Sequence, residues 1–172
     1  AVKTHIQDLS RLVALPHSVF ALPFALSAYL FAQKQGELVH SSLPEGSRLL
    51  LVVFSLVFAR TAAMAFNRSM DAEIDAANPR TENREIPQGR VSQRKAILLC
   101  LISTALLVCC TAILGLHCLT LAPAVLLVLF GYSLTKRFTS YSHIVLGLAL
   151  AAAPGGAWWV LRPKVEAAPL WL

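Results

Sequence analysis

Five blocks of about 20 mostly apolar residues follow one another in this chain, and they constrain its fold more than any other feature. They run from about Arg11 to Gln33, Arg48 to Phe66, Ala96 to Leu114, Cys118 to Leu134 and His143 to Leu161. Each approaches the roughly 20 residues that a helix needs to cross a bilayer's hydrocarbon core. Within that core every backbone N–H and C=O has to be paired inside the protein, which a helix achieves segment by segment. The apolar residues come in runs, not at the spacing of a half-buried soluble helix. Only 14% of the residues are charged, against roughly 25% in a soluble domain. The expected fold class is therefore all-α, a polytopic transmembrane helix bundle with about five spans. The short Gly115-Leu116-His117 stretch between the third and fourth blocks predicts a tight helical hairpin.

The net charge of +6 is concentrated in the connections. Lys3, Arg11, Arg68, Arg80, Arg84, Arg90, Arg94, Lys95, Lys136 and Arg137 fall on one side of the alternating spans, and Lys34, Arg48, Arg162 and Lys164 on the other. Basic residues concentrate on the cytoplasmic side, so the N-terminus is expected to be cytoplasmic and the 60–92 stretch to open there. Basic residues interleaved with exposed aromatics, the pattern of a nucleic-acid surface, are missing, so nucleic acid is not an expected partner. No small-residue cleavage site follows the first block, which reads as a retained helix. The ending from Pro169 to Leu172 reads like the start of a sixth span. Cys100, Cys109, Cys110 and Cys118 lack metal-site or redox spacing and are expected to be core thiols.

The stretch RTAAMAFNRSMDAEIDAANPRTENREIPQGRVS, residues 60–92, carries the chemistry. Asn67, Asp71 and Asp75 are spaced four apart. On a continuing helix each step advances about 6 Å and turns by about 40°, so the three form an oxygen-bearing ladder. Such a ladder suits Mg²⁺, which is usually held by one or two carboxylates together with substrate phosphates. The plainer alternative is that both aspartates solvate a helix end and pair with Arg68. Arg60 lies on the same face, seven residues before Asn67. An ionisable residue at membrane depth faces a bundle interior, so this face is expected to line a polar cavity. Asn78-Pro79 ends the helix, Gly89 permits a turn, and Arg80, Arg84 and Arg90 supply either anion ligands or plain topology signals.

The pattern N-x-x-x-D-x-x-x-D followed by N-P-R-T-x-x-R-x-x-P-x-G-x-V-S resembles the first conserved motif of the UbiA superfamily of aromatic prenyltransferases, in its 4-hydroxybenzoate polyprenyltransferase-like branch. Asn67, Asp71, Asp75, Asn78, Pro79, Arg80, Thr81, Arg84, Pro87, Gly89 and Val91 carry the likeness, while Arg68 stands where the family often has Asp. The stretches from His17 to Leu26 and from Tyr132 to Thr139 agree with it. The resemblance implies about nine transmembrane helices and a second aspartate-rich motif, of which residues 1–172 would supply the N-terminal part of a single domain. No second acidic cluster follows Glu85 in this sequence, where only Glu166 remains.

What the resemblance implies about activity is magnesium-dependent transfer of a polyprenyl group from a prenyl diphosphate to a small aromatic acceptor, 4-hydroxybenzoate or a naphthoate, in ubiquinone or menaquinone synthesis at the inner membrane. Asn67, Asp71 and Asp75 would hold Mg²⁺, with Asp71 and Asp75 the catalytic pair. Arg60, Asn67, Arg84, Lys136 and Arg137 would bind substrate. Lys136 and Arg137 also serve as topology determinants, and His17 reads equally as a packing residue. The helix glycines are expected to permit close packing, and Trp158 and Trp159 to anchor an interface. Two other readings stay open: a half that works only with a separate C-terminal polypeptide, and a transporter using Arg60 and the aspartate ladder.

Overall fold

The computed structural model describes residues 11–12, 15–35, 38–135 and 142–164, and for residues 15–20 and 142 the backbone alone. Among them are six helices: α1 (Leu15–Lys34), α2 (Glu45–Met70), α3 (Ala72–Ala76), α4 (Gln93–Leu114), α5 (Leu116–Thr135) and α6 (Ser142–Leu161). Every regular element among the described residues is helical. α2, α4, α5 and, from His143, α6 are long and apolar enough to cross a membrane. α1 covers the first apolar block, with Pro23 inside it.

Local chemistry sets the ends. Pro44 precedes α2, where a missing N–H costs nothing. The Ser92 side chain accepts from the Lys95 N–H and caps α4, satisfying one of the orphan donors of a helix start. Gly115 alone separates α4 from α5 and adopts φ +136°, a conformation that side-chain-bearing residues rarely take. The hairpin is thus tighter than the three residues expected for it.

α2 packs most extensively on α4, and α1 on α6. The buried residues of α4 are Ala96, Cys100, Ser103, Leu107, Cys110 and Leu114. Their alternating steps of four and three put them along one seam. Facing them, α2 buries Val52, Ala62, Ala65 and Ser69, small residues that bring two backbones close. The large apolar side chains Leu98, Leu101, Ile102 and Leu127 point outward, as in a bundle whose surroundings are themselves apolar.

Three expectations need correction. The glycines do not mediate close packing: a Cβ at Gly131, Gly147, Gly155 or Gly156 would meet nothing within 4 Å, and alanines take that role. Trp158 is not an interfacial anchor. It is 1% exposed in the core that joins α1 to α6, with the Arg162 guanidinium 5.8 Å above its ring. Cys109 is exposed, whereas the other three thiols are buried, because it lies off the α4 seam.

Hydrogen bonds define two ends of the bundle. At one, Val39 N–H donates to Leu161 O at 2.9 Å, and Trp159 Nε1–H donates to His117 O at 3.0 Å. At the other, Gln93 Nε2–H donates to Ser69 O at 2.9 Å. The motif loop belongs to this second end, and Leu12, Val91 and Ala96 form a small core beside it.

Candidate functional site

α2 runs on past the sequence-based boundary at Phe66, so Asn67 lies within its last turn. Asp71 (φ −85°, ψ 2°) makes a slight break before α3. The hydrogen bonding nonetheless continues in helical register. Asp71 N–H donates to Asn67 O at 3.0 Å and Asp75 N–H to Asp71 O at 2.8 Å. The backbone ladder predicted from the spacing is therefore present, with one joint in it.

Both carboxylates are withdrawn from water, Asp71 at 6% and Asp75 at 5% exposure. They do not simply solvate a helix end. Arg84 Nη1 donates to both oxygens of Asp75, at 2.6 and 2.7 Å, so this arginine, expected among the substrate ligands, stands on a carboxylate. Arg68 is in electrostatic reach of Asp75, Glu85 and Asp71 as well as of Arg84. Glu85, 9% exposed, is the group that sequence reasoning passed over. Its only signal was its place between Arg84 and the proline of the motif. Three carboxylates and two guanidiniums gather here, a formal charge of −1.

The loop that delivers Arg84 is a chain of turns. Asn78 O accepts from Thr81 N–H and Glu82 N–H, both at 2.9 Å, and Thr81 O accepts from Arg84 N–H at 3.0 Å. Thr81 Oγ1–H donates to Asp75 O at 3.1 Å, tying the loop back to α3. Gly89 adopts φ +69°, the left-handed turn for which glycine carries no steric penalty. Arg80 and Arg90 are exposed, and Arg90 Nη2–H donates to Asn83 O at 2.6 Å.

Arg60 lines a half-open cavity of about 140 Å³ between α1, α2, α4, α5 and α6. The expected polar cavity is mostly apolar, walled by residues such as Val52, Leu107, Leu121, Ala153 and Gly156. Ser55, Thr111 and Arg60 are its polar side chains beside Cys118 and Trp159. Arg60 Nε is buried without a hydrogen-bond partner. Seven residues of helix put Arg60 about 10 Å from Asn67 along α2. The cavity extends from Arg60 away from the ladder to Val52, Leu114, Cys118 and Val160.

Oxygen-only donors at Asn67, Asp71 and Asp75 fit a hard divalent cation in kind, and two carboxylates match the number Mg²⁺ usually takes from protein. Among the described residues no three His, Cys, Asp or Glu side chains form a metal cage, so the set is partial. Lys136 and Arg137 lie outside the described residues, as does the side chain of His17.

Comparison with known proteins gives the family and the fold. A family model, the UbiA prenyltransferase family, matches residues 15–172. The chain is 36% identical over 120 residues to a 4-hydroxybenzoate octaprenyltransferase of Vibrio vulnificus (strain CMCP6), an alignment covering 67% of this chain and 40% of that protein. The apo structure of a UbiA homolog from Aeropyrum pernix K1 superposes with a TM-score of 0.76 at 28% identity, covering 91% of this chain and 55% of the other. A UbiA homolog from Archaeoglobus fulgidus, bound to DMAPP and Mg²⁺, shares the fold at a TM-score of 0.74 and 19% identity, over 94% of this chain and 57% of that one. The chain spans about two fifths of the length of the curated relatives it matches. With an aspartate ladder at one end of an all-helical bundle, an apolar cavity behind it and a family match over nearly the whole sequence, the chain belongs to the UbiA prenyltransferase family.

Proposed function

We propose that the protein transfers a polyprenyl group from a prenyl diphosphate to a small aromatic acceptor bearing a carboxylate, with 4-hydroxybenzoate the leading acceptor and a naphthoate the second. The observation that carries this reading is the pairing of two buried carboxylates, Asp71 and Asp75, with an apolar cavity whose near end holds Arg60. The relatives named as 4-hydroxybenzoate octaprenyltransferases support the same acceptor. The neighbour bound to DMAPP and Mg²⁺ supports the donor class and the metal.

In this reading the diphosphate lies at the aspartate end and the prenyl tail lies in the cavity. Asn67, Asp71 and Asp75 would hold Mg²⁺, which when bound offsets the charge of the departing diphosphate. Arg84, Lys136 and Arg137 neutralise the remaining phosphate charge through charge-assisted hydrogen bonds. Arg60 receives the acceptor carboxylate, because a half-buried guanidinium whose Nε–H is buried without a partner gains from an anion. The C1–O bond of the donor breaks, a ring carbon bonds to C1, and the ring proton leaves to restore aromaticity. The apolar walls keep water from capturing the developing carbocation.

Residues 1–172 read as the N-terminal part of one transmembrane domain, with a second aspartate-rich motif supplied by a C-terminal half. A cytoplasmic N-terminus follows from the basic connections, and the family likeness supports a place in the inner membrane. The test is magnesium-dependent transfer of a labelled prenyl group to 4-hydroxybenzoate in membranes expressing the chain, alone and together with a C-terminal half from a relative. Transfer abolished by Asp71→Asn with Asp75→Asn is the expected result. Transfer that survives both substitutions would sink the assignment.

A further inference from the structure

We propose that Arg84 is a resident counter-ion for Asp75: it neutralises this carboxylate while the site holds no metal, and hands it over when a divalent cation arrives together with a diphosphate. The inference rests on the functional reading above and adds a substrate-free role for a residue otherwise expected only to bind phosphate.

The two partners differ in exposure and in how their side chains are held. Asp75 is fixed through its backbone, its N–H on Asp71 O and its carbonyl on Thr81 Oγ1. Its side chain is 7% exposed, whereas that of Arg84 is 34% exposed and is carried by the turn-built loop. A buried carboxylate stripped of its partner is strongly disfavoured, so Asp75 needs a cation at all times. Arg84 provides one through a single nitrogen, Nη1, which chelates both oxygens. A divalent cation competes for those same oxygens.

Pairing is conserved only if both ligands come together. With diphosphate present, the cation takes Asp75 and the guanidinium turns to phosphate oxygens, where its fork geometry suits it. Cation alone takes the carboxylate that Arg84 pairs with and sets a divalent charge beside two guanidiniums, Arg84 and Arg68, which repel it. Binding of metal and diphosphate is therefore positively coupled, and by linkage each tightens the other equally. The coupling resides in Arg84.

The experiment uses the full chain in nanodiscs, with Mn²⁺ binding read by electron paramagnetic resonance, with and without inorganic pyrophosphate. In the unmodified chain Mn²⁺ alone is expected to bind weakly and pyrophosphate to tighten it. In Arg84→Gln, Mn²⁺ alone is expected to bind at least roughly tenfold tighter, because a neighbouring positive charge has gone, and the effect of pyrophosphate is expected to shrink. Unchanged or weaker Mn²⁺ binding by Arg84→Gln would overturn the proposal. If Arg84→Gln does not fold in metal-free buffer, millimolar Mn²⁺ during purification is expected to recover it, and failure to do so counts equally against the proposal. If the unmodified chain takes up no Mn²⁺ even with pyrophosphate, the metal–diphosphate reading itself fails, and this proposal with it.

Discussion

The side-chain amide of Gln93 reaches the main-chain oxygen of Ser69 at 2.9 Å, locking the first turn of α4 to the last turn of α2. The bond falls two residues before Asp71, where α2 breaks, so it fixes the joint from which the ladder projects. Gln93→Ala leaves a part-buried carbonyl without its partner. The expected cost is about 1 kcal/mol, read as a fall in melting temperature. Prenyl transfer is expected to drop further than this loss of folding explains, since Asp71 loses its fixed base.

Arg60 gives a sharper test of the acceptor. Arg60→Gln is expected to raise the KM for 4-hydroxybenzoate by at least roughly tenfold, the worth of a hydrogen bond to a charged group. The KM for the prenyl diphosphate is expected to stay within about twofold, because the proposed arrangement sets the phosphates beyond Asn67, about 10 Å along the helix. Steady-state kinetics with each substrate varied in turn check it. An equal effect on both substrates would place Arg60 in general support of the bundle.

Two glycines should respond in opposite directions to the same substitution. At Gly115 a Cβ would come within 2.8 Å of the His117 ring, on a backbone at φ +136°. Gly115→Ala is expected to cost about 1–3 kcal/mol. At Gly147, inside α6, a Cβ meets nothing within 4 Å, and Gly147→Ala is expected to stabilise by about 0.5–1 kcal/mol through helix propensity. Thermal melts of both variants in one detergent decide it.

Gly156 lines the cavity, and a Cβ there also meets open space. Gly156→Leu is expected to fold normally and to fill the cavity. Transfer from long prenyl diphosphates should fall at least roughly tenfold, while a short donor such as DMAPP is retained, because removing apolar contact with a few methylene groups costs about 0.8 kcal/mol each. A series of donor lengths on one membrane preparation gives the answer, and a uniform loss would move the tail out of this cavity.

The parts of the site legible in the sequence are those set by local geometry. Asn67, Asp71 and Asp75 share a ladder because a four-residue step on a helix returns to nearly the same face, and the hydrogen bonds of α2 and α3 keep that register across the break at Asp71. The pairing of Asp75 was not legible. The plainer alternative paired both aspartates with Arg68, three and seven residues away, and Arg84 was expected to bind phosphate. Arg84 nine residues on was instead delivered by turns at Asn78 and Thr81. Trp158 misled for a related reason. A tryptophan near the end of an apolar helix suits a lipid–water interface, but α1 lies against α6 there and buries it.

The sequence by itself determined the class of the fold, the hairpin at Gly115 and the family motif. Runs of 20 apolar residues leave the backbone no alternative to helices in lipid, and the motif residues lie within one 33-residue stretch. The tertiary structure decided which residues wall the cavity, which cation stands on Asp75 and which apolar faces turn outward. Those outcomes depend on contacts between residues far apart in the chain, such as Arg60 of α2 with Gly156 of α6 around one cavity. Such contacts are set by how helices pack side by side, which no spacing along a single helix encodes.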